Sequence, residues 1–468
     1  MEAGRNALEY KDYSSAIKYF NNIIETRPQI HDAFYYRGQA KFYLGDYVGA
    51  EMDLSEVLAL NPYYYDAYDL RGLSRLYLHK YNEASSDYNN STIYKSDDPD
   101  IWYNLIYCKL ETGNFIQADS ISNIFISHWP ALSSGYLLKA RCKYNLNRAD
   151  SSEIYIDKAL SIDPYNIDGL NMKSILLFQR CEWRDALEYF SRSLYITPNN
   201  SDNLVYRGIC KIGCDDLSGG ISDFNTAISL NPNNILGLYN HGILCFIINN
   251  KQAAINDFTK VLTINPKETT AIHYLKIIKE NSIINIPPPN LTQNDIRELS
   301  DSSISNSMQY VVYDKGQYES RNLKHIVLRK DITNQTDMYA LLTPHNLSEY
   351  QLDAYNHPKL FAIGYEFLLM KDYVSAIHAF SESINENPTI CESYYNRAFA
   401  YCQTNNYDKA ISDLNKAIEL NKNYAEAYYN RGLLYMRLNK INESRMDFSK
   451  AGELGIEFAY HIINELTF

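Results

Sequence analysis

The chain has 468 residues, 46% of them hydrophobic and 21% charged, a composition that excludes collagen-like and wholly disordered chains. Its formal net charge is −12, and no stretch collects the Lys/Arg clusters that a nucleic-acid backbone demands, so no nucleic-acid partner is expected. No window of 18 or more uninterrupted apolar residues occurs, so no transmembrane segment is expected, and the opening MEAGRNALEYKDY lacks the charged-then-apolar order of a signal peptide.

From the first residues onward a period of 34 governs the chain. Small residues recur at Ala16, Ala50, Ala84, Ala118, Ser152, Ala186, Gly220 and Ala254, and the register returns at Ala376, Ala410 and Ser444. A second small-residue series runs through Gly4, Gly38, Gly72, Ala140, Ser174, Gly208, Gly242, Gly364, Ala398 and Gly432. A large apolar residue follows most of the first series by four, as at Phe20, Leu54, Tyr88, Phe190, Phe224, Phe258, Phe380, Leu414 and Phe448. Prolines fall in phase at Pro28, Pro62, Pro130, Pro164, Pro198, Pro232, Pro266 and Pro388. Apolar residues spaced by three and four within each half predict two helices of about a dozen residues per unit. Leu44-Gly45-Asp46-Tyr47 and Asn405-Asn406-Tyr407 mark turns within units, and Leu60-Asn61-Pro62 and Ile264-Asn265-Pro266 mark their ends, where proline cannot continue a helix. Small residues are needed where two helices cross at 8–10 Å. One hairpin cannot bury its own apolar stripe, so neighbours must stack.

A 34-residue unit with small residues at positions 8 and 20, an aromatic or Leu at 24 and Pro at 32 resembles the tetratricopeptide repeat, as found in long bacterial arrays of such repeats. With position 1 at residue 31, eleven copies are read: a first that lacks four residues (1–30), seven over 31–268, and three at 357–390, 391–424 and 425–458. The resemblance implies an all-α right-handed solenoid. Unit 99–132 departs from it, with Ile106 and Ser122 where a small and a large residue are expected, so its packing should be looser. Residues 269–285 and 459–468 read as capping helices. The expected organisation is therefore an eight-repeat array with its cap (1–285), a linker (286–356) and a three-repeat array with its cap (357–468). Inside the linker, QYVVYDKGQYES and HIVLRK carry β-type residues around Lys315-Gly316 that would suit a small hairpin.

No phosphate loop, HExxH, GxSxG or kinase signature is present, so neither catalysis nor a cofactor is expected. The eight cysteines are too sparse for a disulfide scaffold and show no familiar metal-site spacing; they read as small core residues. In tetratricopeptide arrays, positions 2, 5, 6, 9, 12 and 13 face a concave groove. The resemblance therefore nominates Tyr35, Tyr36, Gln39, Tyr43, Asp69, Tyr77, Tyr103, Asn104, Tyr107, Arg141 and Tyr144 in the first array as binding residues. In the second array it nominates Tyr395, Asn396, Phe399, Gln403, Tyr429, Asn430 and Arg437. Tyrosine supplies stiff contact area with a polar tip, which suits a protein or peptide ligand, although it also packs between helices. The carboxylate clamp of chaperone-binding relatives is absent, since position 5 is never Lys, while position 2 is acidic in seven units, from Asp32 to Glu426.

These features point to a non-catalytic interaction scaffold or adaptor; the alternative is a regulatory or targeting subunit of an envelope-associated enzyme complex. The opening GRNALEYKDYSSAIKYFNNII resembles the mature region of exported bacterial repeat proteins, which implies the cell envelope or periplasm. Eight thiols instead suit a reducing compartment such as the cytoplasm.

One correlation runs between the units. Position 7 is Arg or His at Arg37, Arg71, Arg207, His241, Arg397 and Arg431. Position 23 is Asp in those same six units, at Asp53, Asp87, Asp223, Asp257, Asp413 and Asp447, and in no other. A bridge between the two helices of one unit is expected, forked where the cation is Arg.

Overall fold

In a computed structural model, residues 1–248, 250–279 and 358–467 are described. All regular structure among them is helical, and eleven helix pairs follow the 34-residue register. The pairs begin with Glu2–Glu9 and Tyr13–Thr26, then His31–Tyr43 and Tyr47–Leu60, and end with Ala425–Arg437 and Ile441–Glu453. Two single helices, Thr269–Lys279 and Phe458–Thr467, follow the last pair of each stretch. The linker and its hairpin fall outside the described residues.

Local sequence explains the punctuation. Position 15, between the paired helices, is left-handed in every unit where it is described: Gly45 and Gly113 have φ of +81° and +73°, and His79, Cys181 and Asn405 adopt +56°, +60° and +60°. The next residue then caps the second helix, as when Asp46 accepts the Gly49 N–H at 2.8 Å and Asp216 accepts that of Gly219 at 2.8 Å. After the second helix, Asn61, Asn231 and Asn421 fold back to accept the N–H two residues on, each at 3.0–3.1 Å, which closes the turn at each of these unit ends.

The seam is as the period demands. Ala16, Ala50, Ala84, Ala118, Ala186, Ala254, Ala376 and Ala410 are all 0% exposed. The position-24 ring packs directly against the small residue at position 8, so a Cβ at Gly208 would fall 2.7 Å from the Phe224 ring and one at Gly364 2.9 Å from that of Phe380. Where position 20 is Ser the hydroxyl is buried yet satisfied: Ser152 donates to the Ala140 carbonyl at 2.8 Å and Ser444 to that of Gly432 at 2.9 Å. Unit 99–132 exchanges the sizes, with Ile106 and Ser122 both fully buried, and its two helices pack on each other less extensively than those of the other full units.

The described residues gather into two compact units that cut across the sequence order. Residues 97–279 form one; 1–96 and 358–467 together form the other. In the first, Thr269–Lys279 covers the last repeat, with Ala271 and Tyr274 buried and Tyr274 stacked 5.2 Å from Phe258. In the second, Phe458–Thr467 does more than cap. It is apolar on two faces, and Ala459, Tyr460, Ile462, Ile463 and Leu466 share one buried cluster with Ala16, Ile17 and Phe20. A cap would keep a polar outer face.

Polar contacts reinforce this meeting of the chain's two ends. Buried Lys41 reaches Asp53 at 2.9 Å and also Glu453, and the side chain of Asn21 donates to the Glu453 carbonyl at 2.8 Å. Ser449 donates to the buried Asp46 carboxylate. Gly45 is required because a Cβ there would overlap Asn464, its left-handed backbone being one that other residue types adopt at the same position in other units.

Candidate functional site

All six expected bridges form. Arg37, Arg71, Arg207, Arg397 and Arg431 each grip their own unit's Asp with Nε and Nη2 at 2.6–3.0 Å, and His241 Nδ1 lies 2.7 Å from Asp257. Two units that lack the acid use a different device. Lys139 and Lys173 at position 7 lie 5.9 and 5.8 Å over the Tyr155 and Tyr189 rings at position 23, and their amines reach Asp119 and Glu153, each at 2.8 Å.

The nominated groove residues divide by burial. Tyr103, Asn104, Tyr107, Arg141, Tyr395, Asn396, Tyr429 and Asn430 are buried; Tyr35, Tyr36, Gln39, Asp69, Tyr77, Tyr144 and Phe399 are half-buried; Tyr43, Gln403 and Arg437 are exposed. Several are tied to one another by contacts that repeat between units. At position 13, Tyr43 stacks on Tyr13 with centroids 5.3 Å apart, and Tyr77 on Tyr47 at 4.2 Å. Arg437 occupies the same place, its guanidinium 5.9 Å over the ring of Tyr407. At position 5, Tyr35 leans on Tyr64 and Tyr395 on Tyr424, both at 4.9 Å, and the Asn430 amide donates to the Tyr395 hydroxyl at 2.9 Å.

In the 97–279 unit, Arg141 pairs with Glu111 at 2.6 Å and lies 5.7 Å over Tyr107, and Gln179 donates to the Tyr144 hydroxyl at 2.6 Å. Tyr13, Tyr47, Tyr64, Tyr407 and Tyr424, all partners of nominated residues, come from second helices and unit ends. Reading the first-helix positions alone missed them.

The acids at position 2 are not equivalent. Burial pushes the Asp168 carboxyl up to about 7, whereas Asp100 rises to about 6 through burial and then the neighbouring Asp98 charge. Near neutral pH such carboxyls do not present a uniform anionic row.

The structure also brings together a group that the sequence reading left apart. The ligand atoms of His241, Cys245 and Asp257 lie within 4.8 Å of one another. The signal was a His and a Cys four residues apart on one helix face, with an acid on the facing helix.

Family models now decide what the chain is. Models described as tetratricopeptide repeat match residues 1–65, 133–166, 237–268, 379–412 and 425–454, and one described as TPR repeat matches 400–439. The chain is a tetratricopeptide-repeat protein. The matched stretches coincide with the helix pairs and lie in both compact units.

Several solved structures resemble parts of it. YrrB, described as having an unusual peptide-binding site, is 17% identical over 40% of this chain and 97% of its own, with a TM-score of 0.36. A tetratricopeptide repeat protein from Parabacteroides merdae is 16% identical over 53% and 98%, at 0.42. PilF of Pseudomonas aeruginosa is 15% identical over 45% and 96%, at 0.39. No curated protein matches the chain by sequence.

Proposed function

We propose that this tetratricopeptide-repeat protein is a non-catalytic scaffold or adaptor that binds protein or peptide segments along the first-helix faces of its repeats. The observation that carries this reading is the repeated aromatic ladder, in which Tyr43 and Tyr77 are each already ordered by a stacked partner. A pre-stacked ring gives up little freedom when a ligand covers it, so such rings contribute more to affinity than mobile ones. In this reading buried Tyr103, Tyr107, Tyr395 and Tyr429 serve as walls, and the exposed Tyr43, Gln403 and Arg437, with the half-buried Tyr77, make the contacts.

The test is selection of a displayed random-peptide library on the whole protein, with binding of the selected peptides then compared between wild type and a Tyr43→Ala/Tyr77→Ala double variant. Micromolar peptides that lose about tenfold or more in the double variant, a loss of about 1.4 kcal/mol, are expected. Failure to enrich any peptide, alongside clear hits on a glycan array, would overturn the protein-binding reading.

A further inference from the structure

The six braced aspartates differ in how their charge is met. Asp53 faces two fixed cations, Arg37 at 2.6 Å and Lys41 at 2.9 Å. Asp87 faces Arg71 and Arg75, each at 2.7 Å, and Asp223 faces Arg207 at 2.7 Å and Lys211 at 2.9 Å. In each case the cations stand at positions 7 and 11 of the first helix, one turn apart. Asp413 and Asp447 keep the Arg, at 2.7 and 2.6 Å, while Tyr401 and Tyr435 fill position 11. Unit 235–268 alone among the six replaces both: position 7 is His241 and position 11 is Cys245, neither a permanent cation. Asp257 keeps its place against His241, with side chains only 13% and 15% exposed. A partly buried carboxylate whose five counterparts each meet at least one guanidinium is left facing two metal-ligating groups.

We propose that His241, Cys245 and Asp257 bind one borderline-soft divalent cation, Zn²⁺ or an ion like it, which supplies the positive charge that Arg and Lys supply in the sister repeats. The ligand set suits such an ion, since imidazole nitrogen, thiolate sulfur and carboxylate oxygen are the three donors zinc uses. The spacing asks for a side-chain adjustment. Tetrahedral bonds of about 2.0 Å to N and O and about 2.3 Å to S require S···N near 3.6 Å and N···O near 3.3 Å. Cys245 Sγ lies over the imidazole ring, 3.8 Å from His241 Nδ1 and 3.6 Å from Nε2, and His241 Nδ1 stands 2.7 Å from Asp257 Oδ2. The ion would take the place of the proton between the last two atoms, which leaves to solvent, as those atoms open by about 0.6 Å and Cys245 turns its sulfur from the ring face toward them. The S–H bond breaks as the S–metal bond forms, and the thiol proton leaves to solvent. Burial and the Asp257 charge hold that thiol protonated in the metal-free protein. Three protein ligands leave a fourth position for water, and the partial exposure of His241 and Asp257 gives the ion a way in.

The experiment uses the whole protein, reduced and stripped with chelator, titrated with Zn²⁺ by calorimetry and with Co²⁺ by absorption. His241→Arg restores the pair present in five sister repeats, so it should fold with the wild-type circular dichroism and melting behaviour. Cys245→Ala removes one ligand and leaves the His–Asp contact. Wild type should bind one ion per chain, show a thiolate-to-cobalt charge-transfer band and melt at a higher temperature with Zn²⁺. Both variants should lose the band and weaken binding by more than the roughly 10–100-fold that an outer-shell contact is worth. No saturable binding by wild type would overturn the proposal, leaving a His–Asp hydrogen bond. Retention of the ion by Cys245→Ala would also overturn it, by tracing the metal to another of the eight cysteines.

Discussion

Arg397 and Asp413 show what the repeated bridge is worth. Their side chains are 17% and 8% exposed, and the guanidinium adds a bond to Ser381 at 3.0 Å, so the pair is largely out of water and strongly oriented. Asp413→Ala strands the guanidinium and should cost about 2–4 kcal/mol in chemical denaturation, more than the Asp413→Ala/Arg397→Ala double variant, which strands nothing. Equal losses in single and double variants would mean that the bridge carries no coupling. Asp46 gives a pH signature of the opposite kind to a salt-bridged acid. Burial raises its carboxyl from the usual 3.8 to about 6. The folded state therefore holds a proton that the unfolded state has released, and this group's contribution to stability falls as pH rises from about 4 to 6. Asp46→Asn keeps an oxygen for the Gly49 N–H, so it should flatten that slope and stabilise the protein at pH 7. An unchanged slope in Asp46→Asn would assign it to another group.

At the scale of the helix pair, the period of 34 made nearly everything legible. Each pair lies where the spacing of Ala16, Ala50 and their successors put it, because the seam tolerates only a small side chain at the crossing. Ala186→Leu should overpack that crossing and cost roughly 1–3 kcal/mol, read as a lowered melting midpoint. The turns were less legible. Their left-handed residue is Lys, His, Cys or Asp as often as Gly or Asn, so identity did not reveal it, whereas the fixed position 15 did once the structure was in hand. Gly113 isolates the backbone cost, since a Cβ there meets nothing within 4 Å. Gly113→Ala should therefore destabilise by only about 1–2 kcal/mol, from the left-handed backbone alone. The stacked side-chain pairs were half legible. Family positions named one partner of each stacked pair, but Tyr47 and Tyr407 belong to facing helices that the first-helix register does not address.

For the whole molecule, the sequence reading took 1–285 and 357–468 as the two structural groups, because repeats bind chiefly their neighbours in order. What that logic lacked was the second apolar face of Phe458–Thr467. Ile462 and Ile463 are 0% and 1% exposed, which a solvent-facing cap does not require, and the glycines at 45 and 49 admit the returning chain. The central claim is that the two ends of this repeat protein form one unit. It is tested most directly by a protease site inserted within 286–308, followed by cleavage, circular dichroism and size-exclusion chromatography. The expected result is that helicity is unchanged and both fragments elute together, and that Gly45→Ala combined with Glu453→Ala makes them separate. Wild-type fragments that remain helical yet elute apart at moderate salt would contradict the joined ends.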